Sequence, residues 1–146
     1  MVLKLSNKNI AEYTIDEINI GLEKSFDVKI TQKMINDFAH LSGDYNPLHM
    51  DKNFAQSNNF KTTVCHGMLL ASFFSRLVGM YIPGKHSLYF AQSLNFIKPA
   101  FVDDIVTISG KVISKSQSTK IITLKMIIKN LENELLTGEA KVFLRK

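Results

Sequence analysis

The sequence predicts an α+β domain in which an antiparallel sheet wraps one long buried helix. Two observations lead there. Residues 68–82 form the most apolar stretch of the chain, and from Ser87 onward the apolar period drops from near four to two. Helices first and then consecutive strands with short connections is the order of an antiparallel sheet, because parallel neighbours need long crossovers between them. At 146 residues and 45% hydrophobic residues, positions 1–146 make one domain able to build its own core.

Each element has a local reason. A short strand is predicted over residues 28–30 and those just before them, after which Thr31 can cap a helix over residues 32–41. Met34, Ile35, Phe38 and Leu41 give that helix one apolar face, with His40 just outside it in a surface or helix-end role. Asn46-Pro47 then predicts a defined bend rather than a helix, since the proline ring biases Asn46 away from the α region. Asp51 is placed to cap a short helix through Phe54 and Ala55, followed by the polar loop at residues 56–59.

The apolar stretch carries Ser72, Ser75 and Arg76 and is too short for a bilayer, which takes about 20 apolar residues. It reads as a helix inside the domain, closed by Ile82-Pro83-Gly84, with Met68 and Met80 as packing residues. Leu88, Phe90, Gln92, Leu94 and Phe96 alternate with Tyr89, Ala91, Ser93 and Asn95, as one strand would. Further strands are predicted over residues 105–113, 122–128 and 135–144, with breaks at 115–118 and 132–134.

Composition excludes several classes. The net charge of +5 is almost all lysine, because Arg76 and Arg145 are the only arginines, and scattered lysines do not make a nucleic-acid groove. They would still steer an anionic, phosphate-bearing ligand. The single cysteine, Cys65, rules out an intramolecular disulfide, and His40, His49, His66 and His86 lack zinc-type spacing, so no metal is expected. Residues 1–22 mix Lys4, Lys8, Glu12, Asp16 and Glu17 among apolar positions, leaving no uninterrupted signal-peptide core and predicting a cytoplasmic protein without a membrane span.

The chemistry is concentrated in Ser42-Gly43-Asp44-Tyr45-Asn46-Pro47-Leu48-His49-Met50-Asp51. Taken alone, Gly-Asp-x-Asn-Pro is also a serviceable surface turn. A carboxylate and an imidazole aimed by one bend can instead manage a single water molecule, which is what hydrating a carbon–carbon double bond requires. The second part of the pattern is Cys65-His66-Gly67, which opens the apolar stretch.

The run from Phe38 to Asp51, followed by Cys65-His66-Gly67-Met68-Leu69-Leu70-Ala71, closely resembles the (R)-specific enoyl-CoA hydratases of the MaoC-like family. The resemblance continues through Pro83-Gly84, the segment from Tyr89 to Phe96, Lys98-Pro99 and Val102-Asp103-Asp104, with Cys65 standing where a small aliphatic residue is more usual. It implies the hot-dog fold. It also implies that Asp44 and His49 hold the water that adds to C3 of a trans-2-enoyl-CoA, giving an (R)-3-hydroxyacyl-CoA. The Gly67 N–H would bind the thioester carbonyl, helped by the helix dipole, and glycine there would let the thioester lie against the backbone.

Asn46, His66, Met68, Ser75 and Val78 are the further candidates for substrate contact. Ser75 and Val78, taken to share a helix face, would floor the acyl pocket and favour short to medium chains, C4 to C6. Coenzyme A enters only as part of the substrate, no separate cofactor is expected, and the edge strand of such a sheet predicts a homodimer. Three other functional classes are alternatives. A 3-hydroxyacyl-carrier-protein dehydratase runs the same reaction on a protein-tethered substrate. A thioesterase would need a carboxylate aimed at the carbonyl carbon, and a non-catalytic acyl-CoA binder would be expected to lack Asp44 or His49.

Overall fold

In the computed structural model, residues 9–131 and 133–146 are described. Residues 1–8, the first part of the 1–22 stretch read for a signal-peptide core, and Glu132 of the predicted 132–134 break lie outside them. Three long strands, β4 (Ile105–Ser116), β5 (Ile121–Lys129) and β6 (Glu134–Leu144), form an antiparallel meander. Strand β1 (Glu23–Lys29) pairs with β4, while β2 (Ser87–Gln92) and β3 (Asn95–Phe96) both pair with β6, giving the order β1-β4-β5-β6-β2. Period-two patterning explains the meander: Val106, Ile108, Ile122, Leu124, Met126 and Ile128 are fully buried on one face while their neighbours are more exposed.

Among the described residues four α-helices lie between or over the strands: α1 (Gln32–Ser42), α2 (Pro47–Met50), α3 (Lys52–Ser57) and α4 (Gly67–Arg76). Helix α4 is the central one, and a π-helical turn at Leu77–Tyr81 extends it. Leu69, Leu70, Phe74, Leu77 and Val78 are buried in the core, each such side chain contributing about 1.5–3 kcal/mol of transfer free energy. Leu77 fits against the sheet because β4 carries Gly110 there; a Cβ on that glycine would come within 2.6 Å of Leu77 Cδ2. The helix ends as expected, with Ile82 extended (φ −158°, ψ 110°) ahead of Pro83.

Three expectations are corrected. The predicted strand from Leu88 to Phe96 is broken at Ser93-Leu94, where the chain pinches onto β6: a Cβ on Gly138 would stand 2.0 Å from the Ser93 carbonyl oxygen. The Ser93 hydroxyl accepts the Glu139 N–H at 3.0 Å and Gln92 Nε2 donates to the Ser93 carbonyl at 2.8 Å, so local polar contacts outweigh the alternation. Strand β4 runs on to Ser116, two residues into the predicted 115–118 break, and the turn itself falls at residues 117–120. Lys115 is used to tie down the segment ahead of β1, its Nζ donating to the carbonyls of Ile15 (3.0 Å) and Ile18 (2.7 Å). Finally, the Asp44 to His49 bend contains a one-turn helix, α2. Pro47 at its first position loses only an N–H that has no helical partner, so the residue that forbids a helix before it starts one after it.

Candidate active site

Helix α1 ends on Gly43, whose left-handed φ of 78° turns the chain while its N–H reaches the Ala39 carbonyl at 2.8 Å. This delivers Asp44 to the protein surface. Asp44 Oδ1 accepts the Asn46 N–H at 3.1 Å, and Asn46 Oδ1 in turn accepts the Leu48 N–H at 3.0 Å, capping α2. The side-chain oxygen of Asn46 is therefore committed to fixing the turn. His49 sits in α2, and Asp51 begins α3 by accepting the N–H groups of Asn53 and Phe54.

The second half of the site approaches from residues 64–67. Val64 donates its N–H to the Leu48 carbonyl at 2.9 Å, and its own carbonyl accepts from His49 Nδ1 at 2.6 Å. A carbonyl can only accept, so Nδ1 carries the proton and Nε2 is the ring nitrogen that faces outward. His49 Nε2 stands 3.8 Å from Asp44 Oδ2, with the Asp44 side chain half exposed and the His49 side chain 16% exposed.

His66 precedes α4 and is 2% exposed. Its Nε2 lies 3.0 Å from the Asp44 carbonyl oxygen, which again makes this nitrogen the donor, and its ring stacks on His49 with centroids 3.9 Å apart at 27°. Nδ1 has no hydrogen-bond partner among the described residues. Helix α4 starts at Gly67 with no side-chain cap, whereas Thr31, Asn46 and Asp51 cap α1, α2 and α3. The first N–H groups of α4 are thus left for another acceptor, in the positive end of the helix dipole.

A cavity of about 340 Å³ brings Asp44, His49, His66, Gly67 and Met68 together, with Phe38 and Phe96 on its walls. What approaches Gly67 in this structure is a ring: a Cβ on Gly67 would stand 2.8 Å from Phe96 Cε1. Phe96 and the Val64 carbonyl were not legible as site groups. Phe96 lay within an ordinary alternating strand, and a main-chain carbonyl has no sequence signal.

A neighbouring groove of about 540 Å³ shares Phe38 and Met68 and runs along α4 to Ser75, with Tyr89 and Leu94 opposite. Met68 is 57% exposed beside it, which corrects its reading as a packing residue. Ser75 lines the groove; Val78 does not, being 2% exposed in the core. The wider turn that begins at Leu77 changes the phase of the helix between the two, so the shared face expected from ideal spacing is lost.

Asp44, His49 and His66 each bring one potential ligand atom within 4.8 Å of the others. The set suits a metal poorly. Donation of His49 Nδ1 and His66 Nε2 to carbonyls leaves one ring lone pair on each, as a ligand would need, but the stacked rings carry these lone pairs side by side instead of towards one point. Beside the site, burial and the nearby Asp104 carboxylate push the Cys65 thiol up to about 12, leaving it a small packing group.

The sequence and fold of this chain have counterparts among known proteins. The chain is 41% identical over 126 residues to the (R)-specific enoyl-CoA hydratase of Aeromonas caviae, covering 86% of this chain and 94% of that protein. A solved (R)-hydratase from A. caviae involved in PHA biosynthesis superposes with a TM-score of 0.84 at 40% identity, over 87% of this chain and 97% of the other. A mitochondrial 3-hydroxyacyl-[acyl-carrier-protein] dehydratase of Arabidopsis thaliana is 31% identical over 75% of this chain and 68% of its own length. Residues 16–133 match the MaoC like domain, a span that holds both the Asp44–His49 turn and the start of α4, and the chain belongs to that family.

Proposed function

We propose that the protein is an (R)-specific enoyl-CoA hydratase, adding water across the double bond of a trans-2-enoyl-CoA to give an (R)-3-hydroxyacyl-CoA. The observation that carries this reading is the 3.8 Å gap between His49 Nε2 and Asp44 Oδ2, opening on the uncapped start of α4. One water can donate to both atoms across that gap. Nε2 takes a proton as the water oxygen bonds to C3, and negative charge moves to the thioester oxygen, where the Gly67 N–H receives it. The enolate then takes that proton back at C2, so that H and OH are added in sum and the dyad returns to its starting state. In this reading Asp44 orients the water by its second O–H, and no metal or separate cofactor takes part.

The acyl tail is assigned to the groove along α4, and the scattered lysines meet the coenzyme A phosphates. The similarity to the A. caviae hydratase favours a CoA thioester over a carrier-protein thioester. We further assign a homodimer joined along the β2 edge, where Leu88 and Phe90 are 57% and 69% exposed, and a cytoplasmic location; among the described residues no helix is long and apolar enough to cross a membrane.

The test is a hydration assay on C4 to C12 trans-2-enoyl-CoA thioesters and their carrier-protein counterparts, with stereochemical analysis of the product. Hydration of the CoA series to the (R)-alcohol is expected. Turnover of carrier-protein thioesters alone would transfer the assignment to the dehydratase, and inactivity on all of them would refute it. A monomeric mass by light scattering in a fully active preparation would remove the dimer.

A further inference from the structure

We infer that His66 is a positioning residue for this reaction, acting through the main chain of Asp44; the inference rests on the hydratase reading. His66 meets all three parts of the site, two through its side chain and the third through its main chain. Its Nε2–H holds the Asp44 carbonyl at 3.0 Å, its ring lies against His49 at 3.9 Å, and its backbone is the residue from which α4 and the Gly67 N–H begin. It thereby sets how far the water-holding pair stands from the N–H that receives charge on the thioester oxygen.

Packing alone does not account for an imidazole here. The side chain is 2% exposed, and with Nε2 donating, Nδ1 is a buried acceptor with no partner among the described residues. A phenyl ring would fill the same space against His49 and Phe38 without leaving a polar atom unpaired. What the imidazole adds over phenyl is the N–H aimed at Asp44. That carbonyl belongs to a residue between a left-handed Gly43 and a short turn, a segment with few other ties to the core, so the cross-link at this point limits where the carboxylate can go.

Two substitutions separate the N–H from the ring. His66→Phe keeps the stack and removes the donor, whereas His66→Gln places an N–H at the same reach and removes the ring. With crotonyl-CoA, His66→Phe should lower kcat by about 10- to 100-fold, the scale of a small misplacement of reacting groups, and leave KM within about 3-fold. His66→Gln should recover kcat to within about 5-fold of the parent. In an Asp44→Asn chain, His66→Phe should cost less than about 3-fold more, because its target is already disabled.

Parental kcat in His66→Phe, an equal loss in His66→Gln, or fully multiplied losses in the double variant would each overturn the inference while leaving the hydratase reading intact. A parent chain inactive on every enoyl thioester would overturn both. If His66→Phe does not give a cooperative melt, His66→Met, which also lacks the donor and adapts its shape, takes its place in the same comparison.

Discussion

His49 Nε2 and Asp44 Oδ2 stand 3.8 Å apart with no direct hydrogen bond between them, although both belong to one short turn and face one cavity. The separation is held from outside the pair, by the Val64 carbonyl on His49 Nδ1 and by the Asn46 N–H on Asp44 Oδ1. A pair in direct contact would satisfy itself. This one leaves a gap that a third oxygen can bridge.

Asp44→Asn and His49→Ala should therefore each lower kcat on crotonyl-CoA by about 100-fold or more. On the proposed sharing of one water, the double variant should be little worse than the poorer single one. Steady-state kinetics on variants with parental melting curves check this, and losses that multiply in full would show two independent roles.

The legibility of this site followed its chemistry of turn formation. Gly43, Asn46 and Pro47 each restrict the backbone locally, so the dyad turn could be read without knowing its surroundings, and the strands announced themselves by period. What could not be read depends on distant partners. The bond from His66 to Asp44 joins residues 22 positions apart, and the break in the edge strand is made by Gly138 on another strand. The separation of Ser75 from Val78 arises because the helix widens at Leu77, for which the apolar pattern carries no mark.

Gly67→Ala should act through Phe96. The added methyl would sit 2.8 Å from the ring edge, and since Phe96 is 55% exposed the ring can swing aside at little cost to the fold. We expect a melting temperature close to the parent but a fall of about 10-fold or more in kcat/KM, as the approach to the Gly67 N–H is obstructed. Adding Phe96→Leu should restore part of the loss by clearing the ring. Unchanged kinetics in Gly67→Ala would mean that the thioester oxygen is bound elsewhere.

Cys65 gives a stability signature at alkaline pH. Burial raises the folded thiol to about 12, against about 8.5 in an unfolded chain. Between these values the unfolded chain releases a proton that the folded one keeps, so the contribution is fully present below about pH 8.5 and declines as pH rises towards 12. Urea midpoints at pH 8 and pH 10 should therefore fall further apart in the parent than in Cys65→Ala. The thiol should also react with a disulfide reagent only after unfolding. Rapid labelling of the native protein would contradict its burial.

Acyl-length selection should follow the groove along α4 and not Val78. Ser75 lies two turns beyond Gly67, about 12 Å along the axis at helical rise, so a four-carbon chain bound at the Gly67 N–H ends short of it while a longer tail must pass it. Its exposed side chain faces Tyr89 and Leu94 across a groove of about 540 Å³, which can admit a larger side chain without disturbing the core. Ser75→Phe should then leave kcat/KM for crotonyl-CoA within about 3-fold of the parent and lower it about 10-fold or more for the longest thioester accepted, the size of effect expected when apolar tail contacts are lost. Val78→Phe, by contrast, overpacks a site that is 2% exposed and should lower the melting temperature and depress all chain lengths together. Equal losses across the series in a folded Ser75→Phe variant would place the tail on another face of the helix.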